Sequence, residues 1–289
     1  MIWSALGVLL SLTVLTGAML GAALGLTGFA ILHFFGGGSM RLGVQAVFNV
    51  LGEFTLTSIP LFILLGDVLV ASGLAGGIYK ALSPLFARLR GGLLHTNIAV
   101  CTVFGAVSGS SMSVSAAVGA VAYPELSRRG YAPRLVVGTL AAGGTLGLLI
   151  PPSLSLLIYG ALTDTSIGKL FLAGVLPGLL MALIFMCYVE WSARRHPHEV
   201  PQEQPQPWGP TLRATLALWP IAVLILAVLG SLFAGLATPT ESAAVGVAAA
   251  TLLGFTRGDL TWLRRYAKWV GSSRRYFFSG CHWLHPAAT

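Results

Sequence analysis

The chain has 289 residues, of which 55% are hydrophobic and only 9% are charged, and its mean hydropathy is +0.83. This composition excludes an ordinary soluble domain, which needs a polar surface, and indicates an all-α polytopic protein whose main solvent is the lipid bilayer. The net charge of +8 does not indicate binding to nucleic acid, because Lys and Arg occur in short groups between apolar runs. Cys101, Cys187 and Cys281 lie too far apart in the sequence to indicate a disulfide framework or a zinc site.

Long apolar runs indicate membrane spans, since a spanning helix needs about 20 residues. Asp, Glu, Lys and Arg are all absent from residues 1–40, 91–124, 135–163, 170–189 and 214–240. The first run has neither a basic start nor a small-residue cleavage site, which favours a retained anchor over a signal peptide. Two interpretations of its structure stay open, one long tilted helix or two short helices around residues 17–28.

The basic residues predict the topology. Cytoplasmic loops carry an excess of Lys and Arg. We therefore predict four groups on the cytoplasmic side: Lys80/Arg88/Arg90, Arg128/Arg129/Arg134, Arg194/Arg195 and Arg257/Arg264/Arg265. Alternating crossings that satisfy this condition are predicted at 135–162, 170–192, 212–236 and 241–256.

The chain is predicted to divide at a polar linker. Residues 196–211 are rich in Pro and Gln, which is typical of an extended connection, here on the cytoplasmic side. An N-terminal membrane repeat, residues 1–195, precedes the linker. The start of a second repeat, residues 212–265, follows it, and residues 266–289 form a tail without the pattern of a membrane span.

Residues 91–127 have basic groups on both sides, yet they are too few for two full crossings and a turn. A re-entrant helical hairpin, which enters and leaves the membrane on the same side, satisfies both conditions. Its midpoint, residues 105–113, is rich in small and hydroxylic residues that interrupt a helix, and the freed backbone groups need protein or a wet cavity around them. The alternative is one ordinary spanning helix, with Gly105 and Gly109 forming a packing face.

The next segment, residues 135–162, is predicted to be a discontinuous helix. Three glycines between residues 143 and 147 loosen it, and Pro151 and Pro152 each lack a backbone donor. Ion-coupled transporters use adjacent interrupted helices, with helix N-termini facing anionic groups and unwound carbonyls binding Na⁺. Hydroxyl and carbonyl oxygens therefore predict a sodium site, whose ligands are Ser108, Gly109, Ser110, Ser111, Gly144, Thr145 and Gly147.

With these features the chain resembles the large membrane subunit of TRAP transporters, the tripartite ATP-independent periplasmic systems. The resemblance covers roughly residues 1–265. Its motifs are Ile-Pro-Leu-Phe-Ile at 59–63 with Gly66, Phe-Gly-Ala-Val-Ser-Gly-Ser-Ser at 104–111, Gly-Leu-Leu-Ile-Pro-Pro-Ser at 147–153, Ala-Gly-Val-Leu-Pro-Gly at 173–178 and Ala-Thr-Pro-Thr-Glu at 237–241. In the last motif Thr238 and Glu241 also fit a capping box, which predicts a helix start there.

The resemblance implies an inverted-repeat, elevator-type fold, of which this chain holds the first repeat and the start of the second. It implies a permease of the bacterial inner membrane that imports small organic acids (carboxylates) with Na⁺ as the coupling ion and with no other cofactor. A periplasmic solute-binding protein would deliver the substrate, and a small TRAP membrane subunit would brace the large one. The implied substrate-binding residues are Ser111, Ser113, Pro151, Pro152 and Ser153.

The sequence departs from this family at its end. Family members continue through a second hairpin and a second broken helix, whereas this sequence stops at Thr289, so a C-terminally truncated chain is expected. Two other functions compete with transport: a transport-dead scaffold that still binds the small subunit, and an intramembrane serine hydrolase. The hydrolase is disfavoured because no Gly-x-Ser-x-Gly motif surrounds Ser110, and His95 lies at the far end of the hairpin. No catalytic residue is therefore predicted.

Overall fold

The computed structural model describes residues 2–15, 20–36, 40–201, 207–216 and 218–257. Across these ranges the chain forms helices, turns and short connections, with no strand. Four helical segments there are long and apolar enough to cross a membrane: Phe54–Ala71, Pro133–Leu162, Ile167–Arg195 and Ala214–Phe233. The predicted all-α, multi-pass architecture is confirmed.

The chain divides into two compact units between Phe54 and Thr55. The first unit contains α1 (Ile2–Leu15), α2 (Leu20–Phe35) and α3 (Met40–Leu51). In this unit α1 packs against α2, and α2 packs against α3. The first apolar run therefore forms two helices rather than one, and residues 16–19, which connect them, lie outside the described ranges.

The second unit contains the remaining helices. In chain order they are α4 (Ser58–Ala71), α5 (Leu74–Phe86), α6 (Leu93–Ser108), α7 (Ser111–Arg128), α8 (Pro133–Leu149), α9 (Leu154–Leu162), α10 (Ile167–Arg195), α11 (Trp208–Leu216), α12 (Trp219–Ile225), α13 (Ser231–Phe233) and α14 (Pro239–Arg257). A π-helical segment, Leu226–Gly230, joins α12 to α13. The crossing predicted at 212–236 contains the apolar segment Ala214–Phe233 and is not one regular helix.

Helix α10 shows most directly that the solvent is lipid. Its 29 residues give a length of about 44 Å at 1.5 Å per residue, more than the roughly 30 Å hydrocarbon core of a bilayer. Large leucine side chains cover its outer surface: Leu172, Leu176, Leu179 and Leu183 are all more than half exposed. An apolar surface of this extent is stable against lipid tails and unfavourable in water.

Helix α6 lies at the centre of the second unit. Of its 16 residues 13 are buried, so it is surrounded on nearly all sides, chiefly by α8, α5 and α7. Asn97 of α6 donates a hydrogen bond to Thr139 Oγ1 of α8 over 3.2 Å, which satisfies part of a fully buried amide. A buried polar pair of this kind fixes the register of two otherwise apolar helices.

The two ends of the predicted hairpin meet. The backbone N–H of Leu93, at the start of α6, donates to Tyr131 Oη over 3.2 Å, and Tyr131 follows the end of α7. Nearby, Arg134 pairs with Glu199 at 3.2 Å, and the Ala132 N–H donates to the Glu199 carbonyl. The basic groups around residues 128–134 and 194–195 therefore lie at one end of the helices, as the charge pattern predicts.

The predicted linker and tail are only partly described. Within 196–211, Pro197–Glu199 form a 3₁₀ turn and Val200 is buried, whereas residues 202–206 lie outside the described ranges. Arg264, Arg265 and the tail at 266–289 also lie outside them. The boundaries of the two membrane repeats, 1–195 and 212–265, stay predictions.

Candidate functional site

The turn between α6 and α7 interrupts what would otherwise be one long helix. Gly109 ends α6 with φ +62°, in the left-handed region that glycine adopts without steric cost. Ser110 is extended, and its hydroxyl caps α7 by accepting the Ser113 N–H over 3.4 Å. The alternative of a single continuous helix through residues 91–127 is therefore wrong.

Helices α6 and α8 run parallel along a seam of small residues. A Cβ on Gly143 would lie 2.7 Å from Cys101 Sγ, and a Cβ on Gly105 would lie 3.1 Å from the Gly147 Cα. The residue numbers at these contacts increase in the same direction along both helices, from 101 to 105 on α6 and from 143 to 147 on α8, so the two helices are parallel. Only glycine permits backbones to approach this closely.

Helix α7 packs on the same glycines of α8 from another side and runs antiparallel to it. A Cβ on Gly147 would lie 2.7 Å from Val114 Cγ2 and 3.0 Å from the Ser110 carbonyl oxygen, and a Cβ on Gly144 would collide with Ser115 Oγ. The sequence interpretation that these glycines unwind the helix is wrong. Helix α8 continues to Leu149, and the glycines serve close packing instead.

The interruption of the 135–162 segment lies at residues 150–153. Ile150 and Ser153 have extended backbones, and Ser153 caps α9 by accepting the Leu156 N–H over 3.5 Å. The Ser153 hydroxyl also donates to the Leu148 carbonyl. The helix is thus discontinuous as predicted: α8 ends at Leu149, and Ser153 is the N-cap of α9.

The hairpin tip touches this interruption. The Leu154 N–H donates to the Gly109 carbonyl over 3.4 Å, and a Cβ on Gly109 would collide with the Pro152 carbonyl oxygen. Four helix ends therefore meet at one level: the N-termini of α7 and α9 and the C-termini of α6 and α8. Helix N-termini carry partial positive charge and C-termini partial negative charge, so the arrangement can hold an anion and a cation side by side.

Two further helices enclose the meeting point through glycines. On α10, a Cβ on Gly174 would lie 3.3 Å from the Leu149 carbonyl oxygen, and one on Gly178 would lie 2.7 Å from Ile150 Cγ1. On α4, a Cβ on Gly66 would lie 3.2 Å from the Ser108 carbonyl oxygen. In the sequence these glycines are visible only as members of motifs. The feature that marks them in the sequence is a small residue inside an apolar helix. The residues that they contact are known only from the folded structure.

The structure brings most of the predicted sodium ligands together at the tip. The residues at 108–111 form the turn itself, and Gly144 and Gly147 face them from α8. Ser108 is fully buried, and its Oγ has no hydrogen-bond partner among the described residues. A buried hydroxyl without a partner is costly and suits a site whose ligand would complete it.

Thr145 does not join this group. Its side chain is exposed and donates to the Ala142 carbonyl over 2.7 Å. Because α8 stays helical there, successive residues are about 100° apart, and Thr145 lies on the face opposite Gly144 and Gly147. The assignment of its hydroxyl to the sodium site is therefore corrected.

The predicted substrate-binding residues lie on both sides of the meeting point. Ser111 and Ser113 are partly buried in the first turn of α7, whereas Pro151, Pro152 and Ser153 are buried in the interruption. The Ser153 hydroxyl is occupied by backbone groups at both of its hydrogen bonds. Ser115, which sequence reasoning did not single out, lies one turn deeper on α7 and faces Gly144.

His95 lies far from the tip. It is buried near the start of α6, with its Nε2 3.9 Å from Glu190 Oε2 of α10. The 13 steps from position 95 to position 108 separate it from the turn by about 20 Å along the helix. His95 therefore does not reach Ser110 to act as a general base.

Comparison with known proteins identifies the family. A family model described as "Tripartite ATP-independent periplasmic transporter, DctM component" matches residues 6–277. The chain is 37% identical over 224 residues to the C4-dicarboxylate TRAP transporter large permease protein DctM of Pseudomonas aeruginosa, covering 77% of this chain and 52% of that protein. It is 35% identical over 224 residues to the ectoine TRAP transporter large permease protein TeaC of Halomonas elongata, covering 76% and 52%.

A third relative is the isethionate TRAP transporter permease protein DctMQ of Oleidesulfovibrio alaskensis, 31% identical over 246 residues, which are 84% of this chain and 38% of that protein. The chain spans about half the length of the curated relatives DctM and TeaC. These relatives are permeases and not enzymes, and together with the apolar helices they indicate a multi-pass protein of the bacterial inner membrane. The chain belongs to the DctM family, the large permease component of TRAP transporters.

Proposed function

We propose that this chain forms the ion- and substrate-binding part of a secondary transporter that imports small organic acids together with Na⁺. The observation that carries the proposal is the meeting of four helix ends at residues 108–111 and 150–153, held by the Leu154–Gly109 hydrogen bond. In this proposal a periplasmic solute-binding protein delivers the substrate, and a small membrane subunit supports the permease. The relatives named for C4-dicarboxylate and isethionate favour a small anion as the substrate.

The proposed hairpin is re-entrant, so that its tip lies inside the membrane. Helix α6, with 16 residues, is about 24 Å long, which is less than the roughly 30 Å of a full bilayer crossing. The contact between Leu93 and Tyr131 holds the outer ends of α6 and α7 together. At the tip Gly109 is buried, and both its backbone N–H and its carbonyl are hydrogen-bonded, as a turn at membrane depth requires.

Cysteine accessibility tests the re-entrant hairpin. In a background without the three native cysteines, a membrane-impermeant thiol reagent should label Arg90→Cys and Arg128→Cys from the same, cytoplasmic side. Both positions are exposed, and they flank the hairpin. Thr165→Cys, in the exposed turn between α9 and α10, serves as the control and should be labelled only from the opposite side. Labelling of positions 90 and 128 from opposite sides contradicts the proposal.

The proposed sodium ligands are oxygen atoms of Ser108, Gly109, Ser110, Ser111, Gly144 and Gly147. Two features of the described residues fit a hard cation. Ser108 offers a buried hydroxyl without a protein partner. Pro151 has no N–H to donate to the Gly147 carbonyl, which is thereby left without its usual helical partner. The neighbouring Leu148 carbonyl, freed by Pro152 in the same way, accepts the Ser153 hydroxyl instead.

The proposed substrate site uses the N-termini of α7 and α9. A carboxylate placed there would face the first-turn amides that follow Ser110 and Ser153, together with the positive ends of two helix dipoles. Ser111 and Ser113 add hydroxyls from α7, and Pro151 and Pro152 shape the apolar wall. Ser153 contributes through its position at the N-terminus of α9, because its hydroxyl is already bonded.

Replacement of Ser110 by alanine tests the sodium site. Loss of one oxygen ligand costs about 1.5 kcal/mol, so the Na⁺ concentration for half-maximal uptake should rise roughly tenfold. Uptake would be measured in vesicles that contain the permease and its partner proteins, with Na⁺ varied. Thr238→Ala is the matched control, since Thr238 caps α14 through the capping box with Glu241 (Glu241 N–H to Thr238 Oγ1, 3.3 Å), far along the chain from the tip. An unchanged Na⁺ dependence in Ser110→Ala would refute the assignment.

A second candidate function is that of a scaffold without transport. In this case the chain would co-purify with the small membrane subunit but show no substrate flux. Flux in vesicles that contain this chain excludes the scaffold function.

A further inference from the structure

A cavity of about 680 Å³ lies between α6, α8 and α10, at the end of the helices opposite the hairpin tip. Its inner wall is apolar and includes Leu94, Ile98, Leu135, Ile184 and Val189. Its rim is basic and aromatic and includes Arg134, Arg195, His196, Tyr188 and Trp191. The cavity thus has an apolar body and a positively charged mouth.

The dimensions of the cavity match one leaflet of a bilayer. From Ile184 to Arg195 the lining follows 12 residues of α10, whose 11 steps give a length of about 16 Å. Half of a typical hydrocarbon core is about 15 Å thick. Tyr188 and Trp191, whose rings lie 5.9 Å apart, stand near the mouth, and such aromatic residues are enriched at the level of lipid headgroups.

The charge at the mouth is balanced only in part, since Arg134 pairs with Glu199 at 3.2 Å. Arg195 lies with its Cζ 4.4 Å above the Trp191 ring, and no acidic partner of Arg195 occurs among the described residues. His196 Nδ1 is buried there without a hydrogen-bond partner. By contrast, the neighbouring Arg194 does not line the cavity and is paired with Glu190 at 2.9 Å. A ligand at the mouth would therefore carry negative charge.

We propose that this cavity binds an anionic phospholipid, with an acyl chain along the apolar wall and the phosphate at Arg195 and His196. Basic pockets between membrane helices recognise anionic headgroups in this way, and the apolar wall supplies the affinity for the chain. The site is separate from the helix ends at residues 108–111 and does not depend on the transport function.

Fluorescence quenching by brominated lipids tests the proposal. The full chain is placed in phosphatidylcholine nanodiscs that contain a fixed small fraction of either brominated phosphatidylglycerol or brominated phosphatidylcholine. The chain has seven tryptophans, so the signal of Trp191 is taken as the difference between the wild type and Trp191→Phe. We expect brominated phosphatidylglycerol to quench Trp191 at a roughly fivefold lower lipid fraction, the preference that one basic residue gives at a membrane surface.

Three variants distinguish the effect of the charge at the mouth from the effect of the space inside the cavity. The preference is the ratio of the lipid fractions at which brominated phosphatidylcholine and brominated phosphatidylglycerol quench Trp191. Arg195→Gln should lower this ratio to about one. Arg194→Gln removes the same charge one residue away and should leave the ratio at its wild-type value. Gly138→Leu should reduce quenching by both lipids, because Gly138 lines the cavity and a side chain there meets open space. This variant also raises the helix propensity of α8, so loss of the fold does not explain the result.

Equal quenching by the two lipids in the wild type overturns the proposal, since the mouth would then not select for charge. Absence of quenching of Trp191 by either lipid also overturns it and indicates that another segment of the protein or a partner subunit fills the cavity.

Discussion

Replacement of Gly109 by alanine is expected to reduce the initial rate of uptake by about a hundredfold. Gly109 has φ +62°, a conformation that costs a non-glycine residue about 1–2 kcal/mol, and its added Cβ would collide with the Pro152 carbonyl oxygen. The collision separates the hairpin tip from the interruption between α8 and α9. A misplacement of about 1 Å between groups that must act together costs on the order of a hundredfold in rate.

The control for this variant is Gly119→Ala in the same hairpin. Gly119 lies within α7, and a Cβ there meets no atom within 4 Å, so this exchange adds the same methyl group without strain or collision. Uptake by Gly119→Ala should match the wild type. If both variants transport equally well, the contact between Gly109 and Pro152 is not part of the working site.

Replacement of Gly147 by valine is expected to have the second-largest effect, on stability as well as transport. The new side chain would overlap Val114 Cγ2 of α7, 2.7 Å from the Cβ position, and press against the Ser110 carbonyl oxygen. Overpacking of this kind costs about 1–3 kcal/mol. For a chain of this size that corresponds to a fall of about 3–10 °C in the midpoint of thermal unfolding, measured in detergent.

Gly138→Val is the matched control, because it introduces the same β-branched residue into α8 at a position where a Cβ meets open space. Its midpoint should stay within about 2 °C of the wild type, since surface substitutions usually change stability by less than about 0.5 kcal/mol. If the unfolding midpoint falls by the same amount in both variants, valine weakens α8 itself. The result would then give no evidence for close packing of Gly147 against α7.

Much of the site could be predicted from local chemistry. The interruption within residues 105–113 and the interruption at Pro151–Pro152 follow from properties of single residues, and the structure has both. The capping box of Thr238 and Glu241 is confirmed for the same reason. Such features depend on neighbours within a few positions of the chain, which are visible in the sequence.

The errors concern the faces of helices. The sequence places Thr145 in the site on the expectation that the glycines around it loosen α8, but the helix continues to Leu149, and its regular turn points Thr145 outward. The packing of Gly66 on Ser108 and of Gly174 on Leu149 joins residues that lie far apart in the sequence. Without knowledge of which helices are neighbours, a glycine that admits another backbone looks the same as one that weakens its own helix.

The glycine contacts of α6 and α8 restrict how the proposed binding region can move. The backbones of α6 and α8 are in contact at Gly105 and Gly147, and α10 packs closely on Ile150 through Gly178. Because these contacts are so close, one helix cannot slide past another without steric collision. We therefore expect the hairpin, the broken helix and α10 to travel as a single rigid body. In the proposed transport cycle, exposure of Na⁺ to one side of the membrane or the other would then require displacement of this whole body rather than a local opening between its helices.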